Sequence, residues 1–209
     1  MCRLALMNKG GADVVEHIYG LRRFLDYLTA QCGGHGNGYA LVKDGKCIDF
    51  RKGVKLSNKA IAKAVLKTDF DWLIYHTRLA SCGTISDRNC HPFQDPATGD
   101  LLAANGTEHD LTALNHAHGL DRTDTETLLL EFLRDEHFVA DLKCNRSALI
   151  GTHHGKAFAV RNSGQLNRLS LQHGCVCIAS SFPQDFALIT HPCISYFEPG
   201  FPVCNSISC

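Results

Sequence analysis

Residues 72–78, Trp72-Leu73-Ile74-Tyr75-His76-Thr77-Arg78, pass directly from an apolar run into a polar cluster. A buried strand delivers side chains to a site at its end in this way. Leu101-Leu102-Ala103-Ala104 ends similarly, in Asn105-Gly106. Outward from these two segments, Tyr39-Ala40-Leu41-Val42 and Lys46-Cys47-Ile48-Asp49-Phe50 flank the turn signal Asp44-Gly45. Ser147-Ala148-Leu149-Ile150-Gly151 and Ala157-Phe158-Ala159-Val160-Arg161 flank His153-His154-Gly155-Lys156. Both arrangements read as hairpins, and Cys175-Val176-Cys177-Ile178-Ala179 reads as a further strand. Val14, Ile18, Leu21, Leu25 and Leu28 fall at three-to-four-residue spacing and predict one amphipathic helix over Val14 to Ala30, ended by the glycine-rich Gly33–Gly38. Another helix is expected from about Asn58, capped by Ser57. Thr123-Asp124-Thr125-Glu126 is a capping box ahead of the helical run Leu128–Leu133. Strands and helices come in blocks rather than in strict alternation, which predicts an α+β fold with antiparallel sheets.

The chain has 209 residues without internal repeat, low-complexity tract or linker, so it reads as a single domain over 1–209. Lys plus Arg and Asp plus Glu both number 21, which leaves no electrostatic footprint for a nucleic acid. No uninterrupted apolar run is long enough to cross a bilayer, so no membrane partner is expected. The apolar stretch before Asn8 and Lys9 is too short for a signal-peptide core, and a cytoplasmic location follows. Eleven cysteines invite a disulfide or zinc reading, yet none forms a paired CxxC knuckle, and Cys175 and Cys177 would point the same way on a strand. Mostly reduced thiols are expected, with no metal and no cofactor.

Cys2 stands apart from the other cysteines. Methionine is normally trimmed before a small residue, and removal of Met1 would give Cys2 a free α-amine with a pKa near 8, able to act as base for its own thiol. Taken singly, the other polar candidates have bland readings. Arg78 alone suits a surface ion pair, Asn105-Gly106 is a common turn, and an acid such as Asp124 is favourable in the first turn of any helix.

Taken in order, these segments resemble the class II glutamine amidotransferases. The resemblance rests on Met1-Cys2-Arg3-Leu4, Gly33-Gly34-His35-Gly36-Asn37-Gly38-Tyr39-Ala40, His76-Thr77-Arg78-Leu79-Ala80-Ser81-Cys82-Gly83, Asn89-Cys90-His91-Pro92-Phe93, Ala104-Asn105-Gly106 and Thr123-Asp124-Thr125-Glu126. Ala159-Val160-Arg161-Asn162 and Ile178-Ala179-Ser180-Ser181 extend it over the second half. It implies a four-layer αββα Ntn-hydrolase sandwich with two mainly antiparallel sheets, in which Cys2 opens a strand. It implies also that Cys2 releases ammonia from the glutamine side-chain amide through a thioester. Arg78 and Ser81 would hold the substrate carboxylate and Asp124 its α-ammonium, while the Asn105 side chain and Gly106 N–H would form the oxyanion hole. The chain departs from the family pattern at Leu79, Ser81 and Cys82, where Trp, Thr and His are common, and at Ala104, where His is common.

The opening Met-Cys-Arg-Leu is similar to that of short stand-alone members, and 209 residues leave no room for a synthase domain. Glutamine is therefore the expected small-molecule substrate, with an ammonia-accepting synthase subunit as the expected partner. Two other readings stay open. One is an Ntn amidohydrolase acting on a γ-glutamyl or other linear amide, and the other is a glutamine-binding module without turnover.

Overall fold

The structure, a computed structural model, describes residues 2–132, 147–161, 166–169, 171, 174–183, 188–189 and 194–197. In chain order the elements begin with β1 (Arg3–Asn8), α1 (Lys9–Ile18), α2 (Leu21–Cys32), β2 (Asn37–Lys43), β3 (Lys46–Gly53), α3 (Asn58–Lys67) and β4 (Trp72–Thr77). They continue with β5 (Phe93–Gln94), β6 (Leu101–Asn105), α4 (His109–Ala117) and α5 (Asp124–Thr127), the last running into a π-helical turn over Leu128–Phe132. After these come β7 (Ala148–His153), β8 (Lys156–Arg161), β9 (Asn167–Leu169), β10 (Cys177–Ala179), β11 (Leu188–Ile189) and β12 (Ile194–Phe197).

Two sheets result, ordered β11-β9-β10-β1-β4-β2-β3 and β12-β8-β7-β6-β5. Every pairing between described strands is antiparallel. Both expected hairpins form. Their tips, Asp44-Gly45 and His154-Gly155, have positive φ at both central residues (48° and 73°, 49° and 75°), the turn whose twist matches that of paired strands.

The alternation of side chains along each strand explains the layering. Ala5 and Met7 of β1 pack with Leu25 and Leu28 of α2 and with Ile61 and Val65 of α3, on the outer face of the larger sheet. Leu4 and Leu6 of β1, with Trp72 and Ile74 of β4, meet Leu101, Ala103, Ala148 and Ile150 in the gap between the sheets. Leu102, Ala104 and Leu149 cover the far face of the smaller sheet, against Leu128 and Leu129. The order is helices, sheet, sheet, helices: an αββα sandwich.

The single helix expected over Val14 to Ala30 is two. Gly20, at φ 87°, breaks it, and Glu16 Oε2 accepts the first N–H of the new helix from Leu21 at 2.6 Å. The break resets the helical phase, so Val15 is buried in α1 while Ile18 is 54% exposed, and the stripe resumes at Leu21, Leu25 and Leu28. Ser57 caps α3 through Ala60 N–H, and Thr123 Oγ1 accepts from Glu126 N–H at 3.2 Å, both as expected. Leu133, Asn162 and the cysteines at 144, 193, 204 and 209 lie outside the described residues.

Asn8 ties the end of β1 to α1 and to the approach to β10. Its Oδ1 accepts from Gly11 N–H (2.8 Å), capping α1, and from Val176 N–H (2.8 Å), while Nδ2 donates to Gly174 O (2.7 Å). Asn8→Ala should lower stability by about 2–3 kcal/mol, the sum of a lost cap and of backbone groups left unpaired. Asn8→Asp keeps both acceptor bonds and should lose less. Urea unfolding of the two variants checks the order.

Candidate active site

Strand parity brings the site together. Even-numbered residues of β1 and β4 face the gap between the sheets, which places Cys2 and His76 there, and the odd-numbered Asn105 enters the same gap from β6. Cys2, 8% exposed, stands just ahead of β1. Its Sγ donates to Leu79 O (3.4 Å) and accepts from Leu79 N–H (3.3 Å), so the backbone of one residue beyond β4 grips the thiol from both sides. A shallow cleft opens beside it, lined by Cys2, Arg78, Leu79, Ala80, Ser81, Cys82, His91, Gly106, Thr123, Asp124 and Thr125.

The loop after β4 is shaped by Arg78 and His35. Arg78 exchanges backbone bonds with the glycine-rich segment, donating N–H to Gly36 O (2.8 Å) and accepting from His35 N–H (2.9 Å). His35 Nδ1 then accepts from Ala80 N–H (3.0 Å). The buried Arg78 guanidinium wraps the loop around itself, with Nη1 on Thr84 O (2.8 Å) and Nη2 on Cys82 O (2.7 Å). Ser81, exposed at the rim, hydrogen-bonds Thr107 Oγ1 (2.8 Å). Deeper in, Cys82 Sγ donates to Asp124 Oδ1 (3.3 Å), and Glu108 N–H donates to Asp124 Oδ2 (2.7 Å). Asp124 is 5% exposed and has no cation paired with it among the described residues.

On the opposite wall, β6 ends at Asn105 and Gly106 faces the cleft. Gly106 has φ 156°, and a Cβ there would meet Ser147 Oγ at 2.3 Å, so only glycine fits. Its N–H has no hydrogen-bond partner among the described residues. The Asn105 amide does not line the cleft. Its Nδ2 reaches Ser180 Oγ at 3.4 Å, while its buried Oδ1 has no partner among the described residues. Ser180 Oγ already accepts Leu4 N–H (3.0 Å), and its own proton has no acceptor among the described residues. Turning the amide over would satisfy Oδ1 with that proton and release Nδ2, and oxygen and nitrogen of an amide are assigned from such bookkeeping.

Behind Gly106 lie two stacked imidazoles, His76 and His91, 4.1 Å apart at 19°. His76 Nε2 donates to Ala104 O (3.0 Å), and His91 Nδ1 accepts from Ala104 N–H (3.3 Å). Burial pushes the pKa of His76 down to about 3 and that of His91 well below the ordinary range, so both rings are neutral at neutral pH.

All six residues expected from the sequence surround this end of the sandwich: Cys2, Arg78, Ser81, Gly106 and Asp124 on the cleft wall, and Asn105 behind it. His35, His76, His91 and Ser180 join them here without having been assigned a role from sequence, although all four fall within the motif segments. The described cysteines are free thiols. No group of three or more His, Cys, Asp or Glu among the described residues is arranged to hold a metal ion. No helix among them is long and apolar enough to cross a membrane.

Burial raises the Cys2 thiol pKa above the ordinary range, opposed by the Leu79 backbone hydrogen bond and the charge of Arg78. The resting Cys2 side chain is thus a protonated thiol. Iodoacetamide labelling of Cys2, followed by peptide mass, should still be accelerating where an ordinary thiol has levelled off. A plateau below pH 8 would mean that a nearby cation holds a thiolate instead.

No family model matches this sequence, and no curated protein matches it. Solved structures do. Glutamine phosphoribosylpyrophosphate amidotransferase from B. subtilis, complexed with ADP and GMP, superposes with a TM-score of 0.55 at 16% identity, over 86% of this chain and 42% of that one. An allosteric regulatory enzyme of purine biosynthesis gives 0.58 at 19% identity, again over 86% and 42%. A glutamine aminotransferase class-II domain protein from Silicibacter pomeroyi gives 0.54 at 12% identity, over 92% and 93%. The chain therefore spans about two fifths of the length of the first two and nearly all of the third. Likeness at such identities is a likeness of architecture: this chain has the αββα Ntn-hydrolase fold found in class II glutamine amidotransferases.

Proposed function

We propose that this chain is a glutaminase of the class II amidotransferase kind, hydrolysing the side-chain amide of glutamine through a thioester on Cys2. The observation that carries the reading is one cleft holding a buried thiol, a Gly106 N–H and the buried Asp124 carboxylate, the last two without a hydrogen-bond acceptor or a paired cation, respectively, among the described residues. A thiol and a free N–H are what acyl transfer needs, and a desolvated carboxylate is what an α-ammonium needs.

Removal of Met1 would expose the Cys2 α-amine as general base. The amine takes the thiol proton, Sγ attacks the amide carbon, and the resulting oxyanion rests on Gly106 N–H and the Asn105 amide. Collapse of the intermediate breaks the C–N bond, and the amine-held proton leaves with ammonia. Water then cleaves the thioester to give glutamate and restore the thiol. Arg78 and Ser81 take the substrate carboxylate and Asp124 its ammonium. Ammonia set free in bulk water is largely protonated and lost as a nucleophile, so a productive enzyme needs an acceptor site, on a synthase domain or subunit, joined to the cleft by a shielded path. A second reading keeps the same thioester chemistry with a γ-glutamyl amide carrying a larger leaving group as the substrate.

Intact mass of the active protein should lack Met1, and a glutamine-like electrophile should form its adduct on Cys2. Full activity in a preparation that retains Met1 would rule out the N-terminal nucleophile. Asp124→Asn should raise KM with little change in kcat. Asn105→Ala should instead lower kcat by roughly a hundredfold, the usual effect of one oxyanion donor. An acceptor subunit should raise glutamine hydrolysis at least about tenfold, or about 1.4 kcal/mol of barrier. A protein already fast on γ-glutamyl amides and indifferent to every partner would favour the second reading.

A further inference from the structure

The polar group on the cleft wall that this chemistry leaves unused is His91. It belongs to an edge of β6 where a strand is missing. Asp95 N–H donates to Asp100 O (2.8 Å) and Phe93 pairs with Leu102, so even-numbered residues of β6 turn their backbone groups toward β5. β5 is only Phe93–Gln94, and in the same register His91 stands opposite Ala104. There the ladder continues through side chains. His91 Nδ1 accepts the Ala104 N–H, and His76 Nε2 donates to the Ala104 carbonyl. Gly106, two residues further on, sends the next N–H of that edge into the cleft with no partner among the described residues.

This geometry dictates the His91 tautomer. A ring nitrogen that accepts Ala104 N–H carries no proton, so the proton of the neutral ring is on Nε2. Nε2 has no partner among the described residues, yet it is not sealed in the interior, and His91 is only 6% exposed on the cleft it lines. The stacked His76 ring on one side and Phe93, with ring centroids 4.9 Å from His91, hold its plane. We propose that His91 is a catalytic residue whose Nε2–H donates to the oxyanion held by Gly106 N–H. It acts beside the Asn105 amide, which Ser180 draws off the wall. A neutral imidazole is suited to this role, because it strengthens its bond as negative charge develops and requires no buried cation in the resting enzyme.

The proposal rests on the glutaminase reading, and two substitutions separate the donor from the scaffold. Asparagine puts its carbonyl oxygen near the place of Nδ1, so His91→Asn keeps the bond to Ala104 N–H and offers nothing at Nε2. Glutamine puts an amide N–H near the place of Nε2. With Met1-free protein, His91→Asn should lower kcat for glutamine about 10- to 100-fold, with KM within about twofold and the melting temperature unchanged. His91→Gln should recover at least about tenfold over His91→Asn. Parental kcat in His91→Asn, or His91→Gln as slow as His91→Asn, overturns the proposal.

A second measurement does not depend on turnover. Long-range 15N–1H spectra of the parent should show His91 as the Nε2–H tautomer, with a signal that moves when a glutamine-like electrophile fills the cleft through Cys2. A Nδ1–H tautomer, or a signal blind to the adduct, also overturns the proposal. Failure of the parent to hydrolyse glutamine would instead sink the glutaminase reading, while the tautomer and its response would still report whether His91 faces the reacting oxygen.

Discussion

The cleft end of this protein depends on the register of β1 between β4 and β10. Arg3 opposite Thr77 and Leu4 opposite His76 bring Cys2 level with the loop that leaves β4, and Leu79 can then hold the thiol through its backbone. On the other side β1 is tied to Ser180, just past β10, which donates N–H to Leu4 O (2.9 Å) and accepts Leu4 N–H on its hydroxyl (3.0 Å). The same hydroxyl meets the Asn105 amide from the facing sheet. One fully buried oxygen thus couples the strand that follows Cys2 to the strand that ends at Asn105. A slip of one residue in β1 would turn Cys2 out of the gap and detach Ser180 together.

The smaller sheet meets a different constraint. Its edge strand β5 stops early, and the backbone groups of Ala104 would be left buried and unpaired, which is costly. A charged partner at this depth would bring its own desolvation penalty, so two neutral imidazoles complete the ladder. This arrangement also locates the departures from the family pattern. Ala104, where His is common, points its methyl group into the outer apolar layer with Leu128 and Phe158. Its side chain does not reach the cleft, and the substitution is one of packing. Leu79, where Trp is common, touches Cys2 through its backbone, a contact available to any residue.

Range along the chain separates the features legible in the sequence from those that were hidden. Hairpins at Asp44-Gly45 and His154-Gly155 and the caps at Ser57 and Thr123 are local, each written within a few residues. Cys2, Arg78, Gly106 and Asp124 were legible through the order of short motifs, and the structure collects them on one cleft. The break at Gly20 was hidden because the periodicity on its two sides differs only by a shift of phase, and a lone glycine inside a helical pattern is commonly tolerated. The roles of His76, His91 and Ser180 depend on which edge of β6 lacks a strand and on which faces of two sheets meet. No spacing along the chain records that. Asn105 lies between the two cases: it was found by motif, but its anchoring on Ser180, 75 residues away, is purely tertiary.

On the proposed reading, the remaining departure, Cys82, bears on selectivity. Asp124 is a buried carboxylate whose described partners are a backbone N–H and the Cys82 thiol. Burial, and then the neighbouring Asp124 charge, raise the Cys82 pKa, so the thiol stays protonated and donates to the carboxylate without adding charge. An imidazole in its place could become cationic there and compete with an entering ammonium for Asp124. A thiol cannot. Folding has already removed the carboxylate from water, so an arriving ammonium meets a charge whose desolvation cost has been met, and the pair forms at less expense than between two solvated ions. A ligand lacking that ammonium would leave the carboxylate uncompensated. On the proposed reading, selection for an amino acid over a simple amide resides in the Asp124 carboxylate, beside which Cys82 introduces no competing cation.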